Sequence, residues 1–438
     1  MTKIFKITTG IVLTSCYFFP FVLEAFPVAN SKMILAAVGL FLFGMKMIQD
    51  REARISKNFL SISIWAIAVS LIASFSMTFN ETTDNTFSSY LISMWVWLSG
   101  AYTIVSYIRY VHGEINVPLI VHYLLSVCAL QCILALAFDI FPQAELWHAH
   151  TFTGEAYMGN TDKDRLHGIG CSLDVAGFRF SAVLVMTAYV IYHMQKKGNT
   201  QHTLKYLTAM LFISIVGNMI ARSTTIGLAA SVLFLGWVIF TQKGGQSILI
   251  KLSLVTITTI VVVAILYSSS KDFNQNFRFG FEGFFSYAET GEWHTHSNDI
   301  LKNMVVWPDN LKTWIIGDGY INNPLDKSLP TYDPYYVGKA YGGYYKGTDI
   351  GYLRYIFYFG VIGLITFSLF FVKVCQVCTQ YSKAFKWMFI LVLAINFIQW
   401  LKVSTDLFVV FAPFLCLGLW ENETAEQESL EHLETAEQ

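Results

Sequence analysis

The chain has 438 residues, of which 54% are hydrophobic, 16% aromatic and only 13% charged. Soluble domains average about 25% charged residues, so lipid rather than water is the expected solvent for most of this sequence. With 29 basic against 30 acidic residues, the near-zero net charge argues against a nucleic-acid-binding protein.

Apolar runs near the ~20 residues that a bilayer crossing needs recur from end to end. Twelve spans are predicted, at about 7–26, 33–49, 59–79, 89–108, 117–141, 177–194, 206–221, 223–241, 250–268, 350–372, 387–402 and 406–420. The pairs at 206–241 and 387–420 are short enough to be hairpins of half-buried helices. The expected fold class is therefore all-α: a polytopic membrane helical bundle forming one transmembrane domain over 1–420, with long loops at about 142–176 and 269–349. No internal repeat of the transporter kind is visible.

The first stretch, "MTKIFKITTGIVLTSC", has two lysines ahead of an apolar run, a pattern shared with signal peptides. Its "LTSC" resembles a lipoprotein cleavage box. Because the later runs all read as membrane helices, a retained first helix is expected. The seven cysteines are scattered, mostly within spans, and imply no disulfide framework. Cys375 and Cys378 form a C-x-x-C without a second pair, so no metal or redox role is expected there.

Charge orients the spans. Basic residues collect at one set of ends, among them Lys3, Lys6, Arg51, Arg54, Arg109, Lys196, Lys243 and Lys383, whereas the opposite loop "NETTDNTFSS" has none. By the positive-inside rule both termini face the cytoplasm and the two long loops lie outside. The tail 421–438, with seven glutamates and no lysine or arginine, reads as a solvated, disordered cytoplasmic end.

On this topology five charges share the outer level: Arg165, Arg179, Arg222, Asp349 and Arg354. An arginine at bilayer centre costs ~2.5–3.5 kcal/mol on insertion scales. Any one of these could snorkel to headgroups; several at one level point to a shared ligand. Guanidiniums bind phosphate oxygens bidentately and stay charged, so a lipid-linked pyrophosphate suits them. Asp349 and Arg354, five residues apart and about 140° around a helix, are expected to face different partners. Asp349 could alternatively serve as a helix N-terminal acid.

The loop 269–348 holds seventeen aromatics in eighty residues, including Trp293 and a tyrosine run that ends at Tyr345. These would stack on sugar rings, or build an interfacial belt or a small loop core. "LWHAH" (His148, His150) and "EWHTH" (His294, His296) repeat a W-H-x-H pattern. In extended chain, alternate residues share a face, which would let four imidazoles meet on one metal. With no acidic second shell evident, exposed or sugar-contacting histidines are the preferred reading and no metal ligands are assigned.

Three segments carry a family resemblance. "DRLHGIGCSLDVAGFRFSAVLV" (Arg165, Gly168, Gly170), "ARSTTIGLAASVLFL" (Arg222, Ser223), and "NMVVWPDNLKTWIIGDGYI" with "TDIGYLRYIFYFGVIGLI" (Gly317, Gly319, Asp349, Gly351, Gly360, Gly363) resemble the O-antigen ligase and polymerase superfamily. The likeness covers roughly 160–370 and points within that superfamily to the Wzy-type repeat-unit polymerases. It implies a metal-independent glycosyltransferase of the bacterial inner membrane that needs no cofactor. Its substrates would be undecaprenyl-pyrophosphate-linked glycans, joined at the periplasmic face into O-antigen or capsular polysaccharide. A flippase and a chain-length regulator would be its protein partners. Arg165, Arg222 and Asp349 would be catalytic, while Arg179, Arg354, His294, His296, Trp293 and Tyr345 would bind substrate. Ligases of the superfamily carry a histidine just before the helix that here follows Asp349. The aspartate favours polymerase over transfer to a lipid A core. The rival classes are a flippase or transporter for lipid-linked sugars and a purely structural membrane protein.

Overall fold

The structure, a computed structural model, describes residues 2–49, 56–153, 165–242 and 244–419. Arg51, Arg54 and Lys243 of the expected basic face, and the acidic tail, lie outside the described residues. The first helix, α1 (Lys3–Phe18), is shorter than the predicted run. Pro20 and Pro27 cannot continue a helix, and after Pro20 the chain turns into a hairpin of β1 (Val22–Leu23) and β2 (Phe26–Asn30), the second strand containing Pro27. Then come α2 (Ser31–Gln49), α3 (Lys57–Phe79), α4 (Tyr90–His112), α5 (Val117–Ile140), α6 (Pro142–Thr151) and β3 (Phe152–Thr153). The strand β3 completes a small antiparallel sheet of order β2-β1-β3.

The second half contains α7 (Leu173–Lys196), α8 (Thr203–Ile220), α9 (Thr224–Thr241) and α10 (Gly245–Ser269). The long loop is built from α11 (Lys271–Gly280), α12 (Glu282–Thr290), α13 (His296–Asn303) and α14 (Leu311–Ile315). The chain ends in α15 (Gly351–Tyr381), α16 (Lys386–Gln399) and α17 (Phe408–Leu415). Nine helices among the described residues (α2–α5, α7–α10 and α15) are long and apolar enough to cross a membrane. The other three predicted spans correspond to α1, α16 and α17, which are shorter.

Burial shows which solvent the bundle was built for. Residues 176–191 of α7 are buried without a break, so α7 is the central post. By contrast α10 turns Leu254, Ile257, Ile260 and Val261 outward, each more than half exposed. An apolar face of that length is stable against lipid, not water. This is a multi-pass membrane protein.

Two contacts set the frame around Arg222 and Asp349. α9 lies directly on α7: a Cβ on Gly227 would stand 2.2 Å from the Ser181 Cα, the close small-residue approach of membrane helix pairs. There Ser181 Oγ accepts from Gly227 N at 3.0 Å and donates to Ser223 O at 2.9 Å. The second contact is a break in α15 at Phe359 and Gly360, where Gly360 has φ +69°. A broken helix leaves carbonyls without partners. The sequence "IIGDGY" supplies them: Asp318 N donates to Phe357 O at 2.5 Å and Gly319 N to Tyr358 O at 3.1 Å. Ser76 Oγ of α3 adds a second bond to Tyr358 O at 2.7 Å. Lys312 ties the same turn down, reaching Asn80 Oδ1 at 2.6 Å and Asp318 Oδ1 at 2.7 Å.

Candidate functional site

Arg222 sits in a three-residue turn between α8 and α9. The turn closes through Thr224 N to Ala221 O at 3.0 Å, Thr224 Oγ1 to Gly217 O at 3.0 Å, and Thr225 Oγ1 to Asn218 Oδ1 at 2.7 Å. The two threonine hydroxyls of "ARSTT" are thus spent on the turn itself, and the guanidinium projects from it. Arg165 approaches from the segment ahead of α7. The two guanidinium carbons lie 4.5 Å (Arg222) and 5.0 Å (Arg165) from the centre of the same ring, Phe279 of α11.

Both arginines line one cavity of about 180 Å³ together with Asp349, Asp174 and Lys402; Phe279 and, from α13, Ile300 and Leu301 form its apolar side, beside Ser297. The cavity lies where one end of the bundle meets the long loop. Lys402 follows α16 and pairs with Asp174 at 2.7 Å. Glu282, the first residue of α12, pairs with Arg222. Among the described residues Arg165 forms no ion pair, its contact being the Phe279 ring. Burial holds the Arg222 guanidinium below its ordinary pKa, and the charge of Arg165 adds to this, against the opposing pull of Asp174. With Glu282 on Arg222 and Asp174 on Lys402, Arg165 is the cavity cation without an ion-pair partner among the described residues, and its charge favours an anion there.

Asp349 is the other polar pole. Its carboxyl is raised to about 6, chiefly by burial and further by Asp174, against the pull of Arg354 and Lys402. The expectation that Asp349 and Arg354 face different partners is corrected here: Arg354 Nη1 donates to Asp349 Oδ1 at 3.3 Å. The helical angle does not apply, because Asp349 precedes the first helical residue, Gly351, and folds back over the first turn. Arg354 is buried and does not line the cavity. It braces Asp349 from behind, also donating to Asn322 Oδ1 at 3.0 Å and Ile321 O at 3.3 Å and lying over the Tyr344 ring.

The other residues singled out from sequence fall elsewhere. Arg179 lies inside the bundle, donating to Phe18 O at the end of α1 and packing against Phe18, Phe19 and Trp97. It satisfies a helix C-terminus and does not reach the cavity. Tyr345 is packed in a small loop core with Tyr320, Leu353 and Phe357, bonding Asp318 at 3.2 Å. Its neighbour Tyr344 points the opposite way, toward Arg354. Trp293 lines a second cavity of about 170 Å³, which shares Arg222, Ser297 and Lys402 with the first. His294 is exposed, 2.8 Å from Glu292 and 3.6 Å from Asp299; His296 opens α13. Neither histidine lines a described cavity.

The reading of the W-H-x-H histidines as exposed or sugar-contacting is corrected for His148, which is buried; His148 and His150 stand on a helix, α6, where alternate positions do not share a face. Lys402, Asp174 and Glu282 were not singled out from sequence. Lys402 had a legible signal, since the predicted topology puts this basic residue of "QWLKVSTD" at the same end as Arg222. A search of family models, curated proteins and solved structures finds no match to this chain.

Proposed function

We propose that this chain is a metal-independent glycosyltransferase that joins undecaprenyl-pyrophosphate-linked oligosaccharide repeats at the periplasmic face of a bacterial inner membrane, with both termini in the cytoplasm. The observation that carries the reading is the cavity in which Arg165, Arg222 and Lys402 face Asp349. The sequence likeness to the Wzy-type polymerases supports it. At about 180 Å³ the cavity is smaller than the ~300–1,000 Å³ of pockets that enclose a whole drug-sized ligand. It suits a diphosphate head group, with the glycan and the acceptor extending toward the Trp293 cavity and the solvent.

In this reaction a hydroxyl oxygen of the acceptor sugar attacks C1 of the donor glycan. The C1–O bond to the pyrophosphate breaks, its electron pair leaves with undecaprenyl pyrophosphate, and the hydroxyl proton passes to Asp349. Arg165 and Arg222 stabilise the charge developing on the leaving group. A carboxylate raised to about 6 is a better proton acceptor than an ordinary one and is still ionised at neutral pH. Arg354 holds that carboxylate in position.

The deciding experiment reconstitutes the purified chain in liposomes with an undecaprenyl-pyrophosphate-linked repeat unit. Long glycan should form with release of about one undecaprenyl pyrophosphate per linkage. Movement of the substrate across the bilayer without glycan growth would establish the transporter reading instead. Transfer to lipid A core in place of growth would establish the ligase.

The acid limb of the rate profile is a second prediction. Because the base must be unprotonated, the rate should fall as pH drops through about 6. Asp349→Asn should remove that limb and lower the rate by ~10²–10⁴-fold. Arg354→Ala removes a charge that holds the Asp349 pKa down, so its limb should move to higher pH. A limb unmoved in both variants would exclude Asp349 as the base.

A further inference from the structure

Outside this cavity, three donor-bearing side chains converge at the corner between α5 and α7. Glu145 and His148 are three residues apart on α6 and so share a face; His167 comes from the segment that precedes α7. Each presents one ligand atom, and the three atoms lie within 4.8 Å of one another. His167 Nε2 stands 3.3 Å from Glu145 Oε2, about the edge length of a tetrahedron whose metal–ligand bonds are ~2.0–2.1 Å. The imidazoles of His148 and His167 lie 4.9 Å apart, centre to centre. Phe138 and Phe152 pack on His148 at 4.7 and 5.4 Å, which fixes its ring.

We infer that Glu145, His148 and His167 form a binding site for a first-row divalent metal ion, Zn²⁺ by the chemistry of the donor set, which fastens α6 to the segment carrying Arg165. Two imidazoles and one carboxylate are a zinc donor set, with a fourth, water-filled position. Glu145 is 41% exposed in its side chain and already turns Oε2 toward His167. None of the three residues lines the reaction cavity, and the ion's role is mechanical. His167 is two residues from Arg165, so the clamp sets the position of that guanidinium over Phe279.

The test is metal content. Tag-free, full-length protein in detergent, stripped with chelator and dialysed against Zn²⁺, should retain about one ion per chain. Its melting temperature should rise with Zn²⁺ concentration, and Co²⁺ in place of Zn²⁺ should give the visible absorption of a tetrahedral site. Glu145→Gln and His148→Ala should each weaken binding by more than ~10-fold, while His150→Ala, on a different face of α6, should leave it unchanged. Should His148→Ala fail to fold, Glu145→Gln at the partly exposed position decides alone. Wild-type protein that holds no stoichiometric Zn²⁺, or variants that retain it fully, would overturn the assignment and leave the three residues as a hydrogen-bonded cluster.

Discussion

Replacing Arg222 with alanine should abolish long-chain product while the protein continues to accumulate in the membrane. The turn that holds Arg222 is closed by Thr224, Thr225 and backbone bonds, none of which involves the guanidinium, so the fold should survive its loss. What disappears is one of two cations sharing the Phe279 ring. By analogy with the loss of an oxyanion-stabilising donor, the rate should drop by ~10²–10³-fold, or ~2.7–4 kcal/mol of barrier. The readout is a glycan ladder that collapses to single repeats still displayed outside the cell. Single repeats outside separate a failed polymerisation from a failed flipping step, which would leave none there. Arg222→Lys should recover part of the activity, since the charge returns without the bidentate fork. A full-length ladder in Arg222→Ala would remove the cavity from the mechanism.

The second large effect is structural. Gly360→Val should prevent the protein from reaching its folded state. A Cβ at this position would stand 2.1 Å from Ile315 O and 2.6 Å from Ile316 N, both backbone atoms that cannot swing away. The φ of +69° adds strain of about 1–3 kcal/mol for an ordinary residue, and overpacking adds about 1–3 kcal/mol more. Together these take up much of the ~5–15 kcal/mol by which a protein is stable. Size-exclusion profiles of the solubilised variant should show aggregate in place of a monodisperse peak. Ile362→Ala, two residues on and 52% exposed, should behave like wild type, whereas Gly360→Ala, which adds the same Cβ at the same φ, should also fail to fold.

Hydrophobic runs and charge placement made the membrane bundle legible, because lipid leaves few ways to satisfy a backbone and the helix is the local one. The same reasoning fails where prolines and tertiary contacts overrule a run, as at Pro20, ahead of the three-stranded sheet, and Pro27 within it. At the candidate site, Arg165, Arg222 and Asp349 were legible because an outward level of charges can be read from topology alone. Arg179 was not separable from them by that signal: it stands at nearly the same level but faces the end of α1 inside the bundle. The Asp349–Arg354 pair was misjudged because helical geometry was applied to a residue outside the helix. Glu282 and the Glu145, His148 and His167 group depend on how loops fold back, which no periodicity encodes.

The break in α15 divides that helix into parts with different obligations. Residues 361–381 alone supply the ~20 that a crossing requires, so the turns ahead of Gly360 belong with the long-loop assembly rather than with the span. Their freed carbonyls are met by amides encoded about forty residues upstream. This helix therefore cannot be completed as an autonomous insertion event. Its final shape waits until the preceding eighty-residue loop has folded back onto it, which makes the folding of that loop a precondition for assembling the seat of Asp349.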